Sequence, residues 1–131
     1  MIGASAAIIR NAKGEIAIVK PTYREEWLLP GGAIERGESP QECCSRECLE
    51  ELNISIEVGS LICLEYRRAT DDFRFVFDGG ILPKGVNISL PEEELESYCF
   101  ANIVEAIQLV DGPTANRLKF IQANCGVYFE S

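Results

Sequence analysis

Between Ser39 and Asn53 the chain sets its carboxylates beside an apolar stripe instead of opposite it, which limits what this segment can pack against. Helix signals bracket the segment. Ser39 suits an N-cap, Pro40 suits the first helical position, and Glu42 three residues after Ser39 completes the pattern of a capping box. The helix is expected to run to about Leu52, with Asn53 a residue that accepts a left-handed C-cap. At about 100° per residue, Cys44, Cys48 and Leu52 form one stripe with Leu49 on its flank. Glu47 and Glu51 are four apart and share a face, and Glu50 lies one turn from Glu47. Like charges at this spacing repel by roughly a few tenths of a kcal/mol per pair, a penalty that a bound cation removes. Hard oxygen donors on a short arc suit Mg²⁺, with Mn²⁺ as a substitute, and such ions bridge to substrate phosphate. A solvated acidic face is the plainer use of such a charge run.

Charge and composition narrow the function classes. The 131 residues carry 12 Lys and Arg against 21 Asp and Glu, a net charge of −9, which disfavours duplex nucleic acid as a partner. No apolar run approaches the roughly 20 residues of a membrane span. No basic segment precedes the apolar N-terminal stretch, so a cleaved signal peptide is not expected. There are six cysteines and no histidine. The lack of His removes Ser-His-Asp and Cys-His nucleophilic sites, and without a C-x-x-C pair zinc has no obvious ligand set. Free buried thiols and a cytoplasmic location are the expectation.

The rest of the chain reads as one α+β domain spanning 1–131. Ala4–Arg10 and Glu15–Lys20 form a β-hairpin around the Asn11-Ala12-Lys13-Gly14 turn. Trp27-Leu28-Leu29 is a brief extended piece, and the glycine-rich stretch 31–39 reads as a loop. Strands are expected over Ser55–Arg67, Phe73–Leu82 and Tyr98–Ala101. A helical turn over Ile103–Val110 and a final helix from Asp111-Gly112-Pro113 to about Asn124 complete the pattern.

Together, Gly32, Glu38, Arg46, Glu47, Glu50, Glu51 and Ile54 occupy the positions of G-x5-E-x7-R-E-U-x-E-E-x-G-U, where U is a bulky aliphatic. This segment, preceded by Pro30-Gly31, resembles the Nudix box. Two positions depart from the pattern. Cys48 stands where an aliphatic is usual and can serve as a small buried hydrophobe. Asn53 stands where Gly is usual and is the next best left-handed cap.

The resemblance implies a Nudix α/β/α sandwich, a mixed β-sheet between helices with the box as loop-helix-loop. It implies Mg²⁺ held by Glu47, Glu50 and Glu51 with the Gly31 carbonyl, Arg46 orienting the metal-binding Glu, and Glu38 bracing the loop beside Gly32. The implied reaction is hydrolysis of a nucleoside diphosphate linked to another moiety, such as a nucleoside triphosphate or a nucleotide sugar. The general base stays open between Glu47 and a later carboxylate among Glu92, Glu93, Glu94 and Glu96. For the substrate, Arg24 is the first choice among Arg24, Arg67, Arg68 and Arg74 to meet phosphates, and Trp27 the first among Tyr23, Trp27, Tyr66 and Phe75 to stack on a base. Submotifs that mark substrate subclasses would fall near Ala69-Thr70-Asp71-Asp72, which matches none of them. Many small members are dimers, so a homodimer is a further implication. Two other functions compete: a non-catalytic Nudix-like nucleotide-binding regulator, and an interaction domain that uses its acidic surface. The retained box carboxylates favour the enzyme.

Overall fold

The structure, a computed structural model, describes residues 2–131. In chain order it has strands β1 (Gly3–Arg10), β2 (Ile16–Pro21) and β3 (Gly31–Ala33), then helix α1 (Pro40–Leu52). Strands β4 (Leu61–Arg67), β5 (Asp72–Ile81) and β6 (Leu95–Ala101) follow, then helices α2 (Ile103–Leu109) and α3 (Gly112–Ala123) and strand β7 (Tyr128–Glu130). The strands make one mixed sheet in the order β6-β2-β1-β5-β4-β7, with β3 paired to β1. Strands β1 and β5 run parallel at its centre, from Gly3 opposite Phe73 to Ile8 opposite Asp78.

Helices cover both faces of the sheet, which is why Ala6–Ile9 and Ile16–Val19 are continuous apolar runs without alternation. On one face Cys44, Cys48 and Leu52 of α1 pack with Ala7, Ile9, Ala17 and Val19. On the other, Ala106 of α2 and Ala115 and Leu118 of α3 pack with Ile8, Ile16, Ile18 and Val76. All six thiols are free; four are buried, Cys99 is half-buried and Cys125 exposed. No helix among the described residues is long and apolar enough to cross a membrane.

The segment Leu28–Ala33 is wedged between the hairpin strands. Asn11 Oδ1 closes the hairpin by accepting from the Lys13 and Glu15 amides, both at 3.0 Å. Beyond Arg10 and Ile16 the two strands take different neighbours: Leu28 pairs with Val19 of β2, and Gly31–Ala33 pair with Ala4–Ala6 of β1. Residues 31–33, expected as loop, are therefore a short strand. The reason is a close approach: a Cβ on Gly31 would collide with the Ser5 carbonyl and with Ala6. A strand of that kind carries no side-chain alternation to read.

Two other boundaries moved, and one strand was not expected. The strand expected from Ser55 starts at Leu61, because Ile54, Ile56 and Val58 pack against the α1-side core while the backbone pairs only through Gly59 N–H to the Asp78 carbonyl at 2.8 Å and Asp78 N–H to the Ser60 carbonyl at 2.9 Å. Strand β6 begins at Leu95, three residues before the expected Tyr98. Strand β7 had no counterpart in the sequence reading; three residues paired parallel to β4 leave too little pattern.

Helix α1 has the ends read from its sequence. Ser39 Oγ accepts from the Glu42 amide at 3.0 Å, and Glu42 Oε1 accepts from the Ser39 amide at 2.9 Å. Asn53 takes the left-handed conformation at φ 55°, its amide donating to the Leu49 carbonyl. Replacing Ser39 with Ala is expected to destabilise the protein by about 1 kcal/mol, read as a lower urea midpoint with unchanged slope.

Candidate active site

The box carboxylates are organised by one guanidinium. Arg46 Nε donates to Glu38 Oε2 at 2.6 Å and one Nη donates to Glu38 Oε1 at 2.9 Å, a two-pronged clamp. The same Nη donates to the Ala33 carbonyl at 3.1 Å. The other Nη reaches Glu47 Oε1 and Glu50 Oε1, each at 2.9 Å, with Glu35 at 3.4 Å. Arg46 thus ties the loop before α1 to the helix itself. Its hydrogen bonds, with the Glu35 amide, hold the Glu38 carboxyl down at about 2. Glu38 in turn raises the pKa of Arg46.

The two glycines of the box turn lie directly against the carboxylates. Gly31 N–H donates to Glu51 Oε1 at 2.8 Å. A Cβ on Gly32 would collide with the carboxylate of Glu47, so the Gly is required for Glu47 to lie where it does. Burial raises the pKa of Glu47, with Arg46 pulling the other way. Burial pushes the Glu51 carboxyl up to about 8, against the Gly31 amide, with Glu47 and Glu94 adding to the rise. Glu51, Gly31 and Gly32 line an open crevice of about 430 Å³ together with Tyr23, Glu93 and Glu94.

A NUDIX domain model matches residues 2–122. The chain belongs to the NUDIX domain family. Its similarity to 8-oxo-dGDP phosphatase NUDT18 of Mus musculus is 35% identity over 83 residues, 58% of this chain and 25% of that protein. A Bacillus subtilis (strain 168) protein named for 8-oxo-dGTP diphosphatase activity is 34% identical over 74 residues, 56% of this chain and 50% of that one. The matches thus span half or less of these relatives' own lengths. Among solved structures, the MutT protein from Methanosarcina mazei Go1 superimposes with a TM-score of 0.81 at 24% identity, covering 94% of each chain. That likeness is one of fold, the mixed sheet between helices expected of a Nudix domain.

Within this Nudix domain, the later carboxylates sort by place. Glu93 and Glu94 face the crevice, whereas Glu96 is paired with Lys20 at 2.9 Å and Glu92 does not line it. Arg24 and Trp27 make no hydrogen bond or ion pair with Glu38, Glu47, Glu50 or Glu51. Arg24 bonds Asp111 at 3.0 Å, with Glu26 at 3.5 Å, and the Trp27 amide donates to the Leu109 carbonyl while its ring packs on the α3-side core. Neither lines the crevice; Tyr23 does. Arg68 pairs with Glu130 and lies over the Tyr66 ring. Arg74 and Phe75 line a second crevice, together with Arg117 and Thr114 of α3. Arg117 was missed in the sequence, although an Arg one position before buried Leu118 and three after buried Thr114 is a legible signal of a charge turned inward.

The donor chemistry fits a hard divalent cation. Glu51 is a half-buried carboxylate held above its ordinary range, a state that a cation relieves, and Glu47 rests in a cradle that any Cβ would fill. As the side chains stand, no three metal-ligating groups converge among the described residues, since Glu47 and Glu50 are turned to Arg46.

The raised Glu51 carboxyl has a consequence for stability. A carboxyl held higher in the folded chain than its ordinary 4.5 stabilises the fold below that value and ceases to do so as pH rises through about 8. In chelator, the melting temperature of Glu51→Gln is therefore expected to gain on that of the wild type between pH 5 and about 8, measured by scanning fluorimetry. A difference that stays flat over this range refutes the assignment.

Proposed function

We propose that residues 1–131 act as one Nudix domain that hydrolyses, with Mg²⁺, a diphosphate bond in a nucleoside diphosphate linked to another moiety. The observation that carries this reading is the placement of Glu47 and Glu51 against Gly31 and Gly32, with Glu51, Glu93 and Glu94 lining one crevice. Glu47, Glu50, Glu51 and the Gly31 carbonyl would hold the ion, with Mn²⁺ as a substitute. When bound, a divalent cation neutralises the diphosphate and lowers the pKa of a water.

The chain's own residues do the remaining work. Glu38 fixes Arg46, and Arg46 fixes the orientation of Glu47 and Glu50. The Gly31 amide holds Glu51 in place. A carboxylate must take the proton that the attacking water loses, and two positions suit the task. Glu47 is held above the ordinary carboxylate range by burial, which makes it the stronger base. Glu94 lines the same crevice as Glu51. Glu96 is tied to Lys20 and serves as the control. The named activities of NUDT18 and of the Bacillus subtilis relative, both on nucleotides, support a nucleotide substrate.

The test is Mg²⁺-dependent product release over a panel of nucleoside triphosphates, nucleotide sugars and dinucleoside polyphosphates. Glu47→Gln and Glu51→Gln are each expected to lower kcat by about 10²-fold or more with the melting curve retained, the order expected when a main electrostatic stabiliser is lost. Near-wild-type rates in both overturn the reading. If Glu94 is the base, Glu94→Gln slows turnover far more than Glu96→Gln; equal small effects leave Glu47. Mg²⁺ affinity is expected to fall about tenfold per pH unit below about 8, because the ion displaces the proton on Glu51. Titration calorimetry in two buffers of different ionisation enthalpy reads that released proton.

A further inference from the structure

The two edges of the sheet differ. One is β7, only three residues long, and a short edge strand offers little to pair with. The other is β6, seven residues from Leu95 to Ala101. Its free backbone groups follow from its ladder with β2. Val19, opposite Tyr98, exchanges both of its backbone bonds with Leu28, each at 2.8 Å, and so gives none to Tyr98. Tyr98 therefore stands in a non-hydrogen-bonded pair, as does Phe100 opposite Ala17, two residues along. The amides and carbonyls of Tyr98 and Phe100 point away from β2. No backbone group among the described residues meets them there, and the Tyr98 carbonyl has only its neighbour's Ser97 hydroxyl at 3.4 Å.

Native sheets guard such an edge with Pro, Lys, an inward charge or a bulge. Strand β6 has neither Pro nor Lys, its one charge, Glu96, is exposed, and its register shift lies at the Leu95 end, before Ser97. Beside the edge is a separate crevice of about 250 Å³, lined by Tyr98, Phe100, Val86 and Ile88 together with Lys13 and Lys84. No carboxylate lines it, and neither Lys makes an ion pair among the described residues. On a chain of net charge −9, one edge thus gathers unpaired backbone groups, exposed apolar side chains and two unpaired cations.

We propose that β6 is an interface between two copies of this chain, paired antiparallel about a two-fold axis at Tyr98. The strand is complementary to its own reverse. Tyr98 meets Tyr98 of the second copy, and the two exchange both backbone bonds. Ser97 then stands opposite Cys99, and Glu96 opposite Phe100, so no like charges face each other. Side chains opposite one another across an antiparallel pair share a face, which sets the two Tyr98 rings side by side. Glu96 is bonded to Lys20 through Oε2 alone, at 2.9 Å. The reversed register carries it to Phe100 of the second copy, at the end of the strand where that copy holds Lys13 and Lys84. An unrelated extended peptide would match the backbone groups without this charge pairing. Residues 96–100 of each copy make a small interface, so association is expected to be reversible with Kd about 10–100 µM. The inference goes beyond the proposed hydrolysis and is measured without substrate.

The experiment is sedimentation equilibrium of the full chain from about 5 to about 500 µM, with a reductant present so that the exposed Cys125 forms no disulfide. The weight-average mass is expected to climb from 14.5 kDa toward twice that value. A mass that stays at 14.5 kDa throughout overturns the inference. Tyr98→Pro removes an outward amide and no bond to β2, and Pro is tolerated where an edge N–H faces out. It is expected to weaken association at least about tenfold with the melting curve retained. Undiminished association in the folded variant overturns β6 as the interface. If Tyr98→Pro does not fold, amide hydrogen exchange of the wild type decides. The Tyr98 and Phe100 amides are expected to exchange at least about twofold more slowly at about 500 µM than at about 20 µM, while the Cys99 amide, on the β2 side, holds its rate. Tyr98 and Phe100 rates that do not change with concentration overturn the inference.

Discussion

Arg46 faces Glu35, Glu38, Glu47 and Glu50 at once, on a chain with a net charge of −9. Without that guanidinium, α1 would carry neighbouring carboxylates one turn apart with nothing to offset their repulsion, and the loop before it would have no tie to the helix. The clamp on Glu38 sets the loop, the bonds to Glu47 and Glu50 set the helix face, and the Ala33 carbonyl fixes both to β3. Lys could supply the charge but not the fork that grips Glu38 with two parallel bonds. The network sits at the edge of the core, with Arg46 about three-quarters covered, so screening by salt is reduced there.

That network was legible in the sequence because its spacing is helical. Glu47, Glu50 and Glu51 fall on one arc of a helix whose two caps can be read from Ser39, Pro40, Glu42 and Asn53, and the structure keeps those ends. The apolar runs of β1 and β2 and the alternation of Phe73, Phe75 and Phe77 in β5 were legible for a similar reason, since each is long enough to show its pattern. What lay beyond reading was set by partners far away in the chain. Gly31–Ala33 become a strand because β1 leaves room only for glycine, and Ile54, Ile56 and Val58 bury alternate side chains without a full ladder. In space Arg24 turns to Asp111 at the head of α3, and Trp27 joins the α3-side core. Arg74 and Arg117 are brought to the box turn by the sheet register and by α3 packing, neither of which sequence proximity can show.

Charge is partitioned between the two sides of the sheet. On the α1 side acidic groups outnumber the single Arg46, which leaves donor oxygens for a cation. On the α3 side Glu65, Asp72, Arg74 and Arg117 cancel, which leaves hydrogen-bond donors without a field. A sheet one residue thick keeps the two environments apart, while Gly31 and Gly32, paired with β1, line both crevices.

The parallel pairing of β1 with β5 also bears on how the chain can be made. The β5-facing edge of Gly3–Ile8 finds its partner only at Phe73–Asp78, so that edge stays open until the later strand has been made. The early hairpin contributes one paired position, Arg10 with Ile16, and so cannot shelter that edge. Contacts of such long sequence separation come late and close together in time. During synthesis the apolar run Ala6–Ile9 is therefore open to chaperones and to strands of neighbouring chains, and once β5 arrives Ala7, Ile8 and Ile9 are buried.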